Sequence, residues 1–199
     1  MEGKESAKGD SFYEDAAQRI FEHVGYKNSF EKQDAVWENE KTKARVYVGG
    51  ESAASNLELL QSTNVKRIVN CRGNVENTLE NEKSLKFFKM PITSWASSNL
   101  DTSEKVWDFL KDLFAFVDEG LENGESVLIH CLAGAHRAPT TAAAYLLYKT
   151  HKDITDVAIH LKACRPIVDL RSFGGSSEFL FKVQHALQEL KYPNALESK

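Results

Sequence analysis

The run His130-Cys131-Leu132-Ala133-Gly134-Ala135-His136-Arg137 places a thiol and a guanidinium with five residues between them, most of them small. A tight loop of small residues can turn several backbone N–H groups inward, and a helix starting at Arg137 would add the positive end of its dipole. Arg137 supplies a planar fork that can grip two oxygens of a phosphate. The same positive field stabilises the thiolate of Cys131, making it a nucleophile near neutral pH. The segment therefore reads as an anion cradle with a nucleophile at its base. Leu132, Ala133, Gly134, Ala135, His136 and Arg137 line the phosphate, and His130 orients the loop from behind by hydrogen bonding. His136 either touches phosphate or substrate, or projects into solvent. A lone cysteine after a strand is ordinarily a core residue. Finding His130, Gly134 and Arg137 in register with it is a coincidence expected on the order of once per several thousand chains of this length. The cysteines and histidines show no paired Cys-x2-Cys or His-x3-His spacing, so neither zinc nor any other metal is expected.

The flanking sequence supplies elements that would position these groups. Ser126 to Cys131 is a buried apolar strand that ends on the thiol, and Arg137 to Thr150 is Ala-rich and helical. Upstream, Ala35–Trp37 and Lys43–Val48 flank a polar turn and read as a hairpin. Ser52 to Gln61 reads as one short helix, and Val65–Cys71 and Lys86–Pro91 read as buried strands. Thr102 to Leu121 is the strongest helix, capped by Thr102 or Ser103, with Val106, Phe109, Leu110, Leu113, Phe116, Val117 and Leu121 on one face. Ile154–Ala163 and Ser177–Leu190 complete the helices, and Ser11 to Val24 carries helical spacing near the start. Apolar strands alternating with helices predict an α/β fold with a largely parallel sheet. The expected division is a tail and helical extension over 1–30, a catalytic unit over 31–192 and a short tail over 193–199.

Composition narrows the function classes. The 25 Lys+Arg and 29 Asp+Glu give a net charge of −4, without the basic footprint that duplex nucleic acid requires. No apolar stretch is long enough to span a bilayer, and the first ten residues lack the apolar core of a signal peptide. Three cysteines, Cys71, Cys131 and Cys164, form no disulfide framework, which fits a reducing compartment. The expectation is a cytoplasmic protein, nuclear access included, with no nucleic-acid partner; the sequence gives no oligomeric state.

At the His-Cys-x5-Arg run the sequence resembles the cysteine-dependent dual-specificity protein phosphatases. The likeness extends over roughly residues 35–190. Arg45-Val-Tyr-Val-Gly-Gly with Ala53–Leu60, then Val65–Cys71, look like that family's opening segments, and Arg165-Pro166 with Phe179–Leu190 look like its closing ones. The resemblance implies a central mixed, mostly parallel sheet of about five strands flanked by helices, and hydrolysis of phosphomonoesters on phosphoproteins through a cysteinyl-phosphate, without metal or cofactor. A second function class is a catalytically weak or inactive module of the same fold that binds phosphoproteins.

Two departures from the family pattern motivate that second class. In many members Pro-Ile-x precedes the Asp that protonates the leaving oxygen, whereas Pro91-Ile92-Thr93 precedes Ser94 here. Asp101, 30 residues before Cys131, is then either a displaced general acid or a carboxylate that serves the helix start. Arg137 is followed by Ala138 rather than by the hydroxyl that assists departure of the thiolate in many members, which implies a slow second step. Cys71 ends one strand and Cys131 another. If the strands are neighbours, the two could close a disulfide, a role such a cysteine serves in some members. The alternative is a buried strand-end thiol.

Overall fold

The computed structural model describes residues 33–73, 75–170 and 176–190. The helical reading of Ser11–Val24 and both tails lie outside them. Among the described residues the chain forms one five-stranded sheet: β1 (Gln33–Glu38), β2 (Arg45–Gly49), β3 (Val65–Asn70), β4 (Lys86–Lys89) and β5 (Ser126–His130), in the order β1-β2-β5-β3-β4. The β1–β2 hairpin is antiparallel and the remaining pairings are parallel. The expected mixed, mostly parallel architecture is thus the one found.

Strand β5 lies at the centre and all five of its residues are buried, as expected of a parallel strand covered on both faces. Its alternation divides the core into two layers. Val127 and Ile129 join Val46, Val48 and Val69 beneath α3 (Ser103–Glu122), α4 (Arg137–Thr150), α5 (Ile154–Cys164) and α6 (Ser176–Glu189). Leu128 faces the other way, with Tyr47 and Ile68, beneath α1 (Glu51–Ala54) and α2 (Leu57–Ser62). The single helix expected over Ser52–Gln61 is therefore two. The chain leaves helical geometry at Ser55–Asn56, and the Asn56 side chain accepts the Leu59 N–H to cap α2.

Helix α3 begins where expected, with Thr102 Oγ1 accepting the Lys105 N–H. Gly120, near its end, has a packing reason. A Cβ there would lie 2.6 Å from the Arg67 side chain, which crosses beneath the helix to reach Glu119 and Glu125 at 2.6 and 2.7 Å. Helix α4 is buried along its whole first three turns, which explains its alanines: a helix enclosed on every side has little room for larger residues. Between β4 and α3, where the sequence analysis assigned no element, Ile92–Ser97 forms a 3-10 turn.

Candidate active site

The sheet register gathers the chemistry at one edge. Gly49, His130 and Asn70 are level across β2, β5 and β3, so the loop after β5 emerges between the ends of two parallel strands. In such a sheet this carboxyl edge is where ligand sites form.

Loop 131–136 is shaped by what holds its carbonyl groups. The Leu132 carbonyl accepts the Glu51 N–H at 2.9 Å. Those of Ala133 and Gly134 accept Arg165 Nη2 and Nε at 3.0 and 2.8 Å. The Ala135 carbonyl accepts the Asp169 N–H at 2.9 Å. Four successive carbonyls thus point away from the loop centre. Because each N–H is opposed to the preceding C=O across a planar trans peptide, the amides of residues 133–136 point inward. One of them reports the direction: Gly134 N–H donates to Cys131 Sγ at 3.3 Å. Gly134 has φ +67°, and a Cβ on it would stand 2.4 Å from the Gly49 carbonyl oxygen and 2.9 Å from Arg165 Nη2. Only glycine fits there.

Arg137 is the first residue of α4 and is buried, with its carbonyl accepting Thr141 Oγ1 at 3.0 Å. Cys131, Gly134 and Arg137 are thereby brought to one cradle, with the start of α4 directed at it. Ala133 and Ala135 are buried and pack beside Leu132 and Ile167. His136 is buried rather than projecting into solvent; burial pushes its imidazole down to about 4, with Asp169 only partly opposing. The nearest hydroxyls after Ala138 are both turned to the backbone, Thr140 onto the His136 carbonyl and Thr141 onto that of Arg137.

His130 sits behind the loop, 2% exposed, and neither ring nitrogen makes a hydrogen bond. Burial lowers it to about 4. Glu51 Oε2 lies 3.5 Å from its Nδ1 and 3.0 Å from Arg72 Nη1.

The remaining sequence-derived candidates fall elsewhere. The exposed carboxylate of Asp101 pairs with Lys105 Nζ at 2.7 Å, and that hydrogen bond holds its pKa below the usual range. It borders a groove between α3 and α6 lined also by Glu178, Lys182 and His185, and no residue of loop 131–136 lines that groove. Ser94 donates to the Pro91 carbonyl. Trp95 packs on Phe179 of α6, ring centroids 5.7 Å apart. Cys71 is buried beside the site and donates to Thr141 Oγ1 at 3.3 Å.

Arg165, Glu51 and Asp34 were not marked as site residues by the sequence. Arg165 is 1% exposed; besides the two loop carbonyls it binds Asp34 Oδ2 at 2.6 Å. The available signal was an arginine placed directly before a proline at a helix end, and a glutamate directly after Gly49-Gly50 at a strand end.

Comparison with known proteins identifies the family. The family described as dual specificity phosphatase, catalytic domain, matches residues 46–176. The chain belongs to that family. Among curated relatives it is 32% identical over 111 residues to human dual specificity protein phosphatase 6, covering 56% of this chain and 28% of that one. Mouse protein phosphatase Slingshot homolog 3 is 28% identical over 123 residues, 62% of this chain and 18% of that one. The matched region thus spans about a quarter of the first of these relatives' length. Among solved structures, human DUSP28 superposes with a TM-score of 0.60 at 18% identity, over 78% of this chain and 95% of that one. The human tyrosine phosphatase-like serine/threonine/tyrosine-interacting protein superposes at 0.59 with 16% identity, over 80% and 98%. At these identities the superpositions speak for the fold.

Proposed function

We propose that this chain hydrolyses phosphomonoesters on phosphoproteins, on tyrosine, serine or threonine, through a cysteinyl-phosphate. The observation that carries the reading is the set of four outward-held carbonyls, which leaves inward amides around Cys131 with Arg137 at the helix start. Bound phosphate oxygens would take those amides and the Arg137 fork. Cys131 Sγ then attacks phosphorus in line and the ester oxygen leaves. Water next attacks the cysteinyl-phosphate, releasing inorganic phosphate and the thiolate. Each residue of the cradle stabilises charge that grows on the transferring group. The catalytic unit is taken as residues 31–192.

Asp101 enters this reading as a candidate acid that would first have to leave Lys105. A second reading, a phosphoprotein-binding module of low turnover, is favoured by Ser94 and Ala138. Cytoplasmic placement rests on cysteine usage; among the described residues no helix is long and apolar enough to cross a membrane.

A phosphotyrosine-peptide assay separates the two readings. Turnover by the native chain that falls at least about 10³-fold in Cys131→Ser supports the enzyme. Binding without turnover in both supports the module. Neither binding nor turnover removes both.

A further inference from the structure

His130 is the one side chain at the loop whose placement has no structural payoff among the hydrogen bonds described. A buried polar group without a partner is costly, and where it persists it invites a functional account. Two nitrogens are buried here, one residue before the nucleophile. The group nearest to them is a carboxylate. Glu51 starts beyond β2, reaches across the end of β5, and ends on Arg72 beyond β3. It is anchored at both ends: its N–H holds the Leu132 carbonyl, and its Oε1 accepts the Thr78 hydroxyl at 2.9 Å. Along that path Oε2 stands 3.5 Å from His130 Nδ1.

We propose that His130 takes up a proton when a phosphoryl dianion enters the loop, with Glu51 as the counter-ion already in place. This rests on the phosphate-binding reading of the loop. The ring gains one proton from solvent, its Nδ1–H donates to Glu51 Oε2, and the proton returns to solvent when phosphate leaves. The charged groups that face the ring are Glu51 from the β2 end, Arg72 from the β3 end and Arg137 from the start of α4. Burial and the two arginines keep the ring neutral in the empty site, against Glu51 and the Cys131 backbone. A dianion in the loop attracts the charged ring across a low-dielectric interior and so moves its titration upward.

The test uses the full chain, uniformly labelled with 15N, and inorganic sulfate, which stays a dianion throughout. At pH 6 the ring 15N shifts of His130 should report a neutral imidazole without sulfate and a protonated one with it. The Gly134 amide shift reports in the same spectra whether sulfate occupies the loop. In Cys131→Ser, which removes the thiol from the cradle, sulfate should bind up to about tenfold more tightly for each pH unit lowered between 7 and 5.5. Glu51→Gln should abolish both effects. Arg72→Gln, which removes an opposing charge, should move protonation to higher pH. If Gly134 does not respond to sulfate, the phosphate reading fails and this inference with it. If Gly134 responds while His130 stays neutral, only the inference fails. Equal protonation in Glu51→Gln overturns the assignment of Glu51.

Discussion

The amide of Cys71 donates to the carbonyl of His130 at 2.9 Å, so the cysteine one residue past β3 lies level with the cysteine one residue past β5. Adjacent strands are about 4.8 Å apart, inside the range of Cα separations that a disulfide bridges. Burial pushes the Cys71 thiol up to about 12, so it is held protonated on Thr141 while Cys131 faces the loop amides. Peroxide should therefore convert Cys131 to the sulfenic acid first, and Cys71 should then displace water to form the disulfide. Mild peroxide is expected to inactivate reversibly with a Cys71–Cys131 linked peptide in the mass spectrum. Cys71→Ser should make the loss irreversible to thiol reductants; retained reversibility would remove Cys71 from the role.

Arg165 should matter as much as the nucleophile to the shape of the loop. Arg165→Met leaves the carbonyls of Ala133 and Gly134 without their donors and Asp34 without its partner. Each orphaned buried acceptor costs about 1–3 kcal/mol. Thermal unfolding should show a loss of about 3 kcal/mol, and vanadate affinity should fall with it although no phosphate contact has been deleted. Unchanged vanadate affinity would show that the loop holds its form without Arg165.

Asp101→Asn distinguishes general acid from helix-start carboxylate. An acid should be worth roughly 10²–10⁴-fold on aryl phosphates with basic leaving groups and little on those with good ones. Its place on a groove that no loop residue lines and its bond to Lys105 favour the smaller, uniform effect, with little change in stability for one exposed pair. Leaving-group dependence of kcat/KM in wild type and variant decides it.

Ala138 places no hydroxyl beside the thiolate leaving group, and Thr140 and Thr141 are committed to backbone carbonyls. Hydrolysis of the cysteinyl-phosphate should limit turnover. Stopped flow should show a burst near one equivalent per enzyme, and Ala138→Ser should raise the steady rate. No burst and no change in rate would place the slow step earlier.

His130 and His136 both titrate at about 4 when folded, against 6.5 when free. The unfolded chain then binds protons more readily than the native one between pH 6.5 and 4, so stability falls as pH drops through that window and is unaffected by these groups above it. The full loss approaches about 3 kcal/mol for each. Denaturant midpoints measured from pH 7 to 4.5 should show the decline, and His136→Gln should make it shallower.

The loop was legible in the sequence because its working parts are contiguous: the strand, thiol, glycine and arginine are separated only by small residues. The helices and strands followed from apolar periodicity, down to the Thr102 cap. What holds the loop was not legible. Glu51, Arg165 and Asp169 reach it from segments tens of residues away, and a buried arginine looks in sequence like any surface arginine until tertiary structure encloses it. Asp101 shows the converse difficulty. Its spacing from Cys131 suited an acid, but the 3-10 turn at Ile92–Ser97 and the long α3 carry it toward α6. The break of the Ser52–Gln61 helix turned on one side chain, Asn56, whose capping competes with continuing the helix.

The pairing of Asp34 with Arg165 has a practical consequence for anyone trimming this protein. The family match begins at residue 46, after β1. A fragment cut to that boundary would retain Cys131, Arg137 and Arg165 yet discard Asp34 and expose β2 as a raw sheet edge. Such a minimal domain should express as sticky, self-associating material. The first strand, which carries no reacting group, sets the smallest piece of this chain that can be handled in isolation.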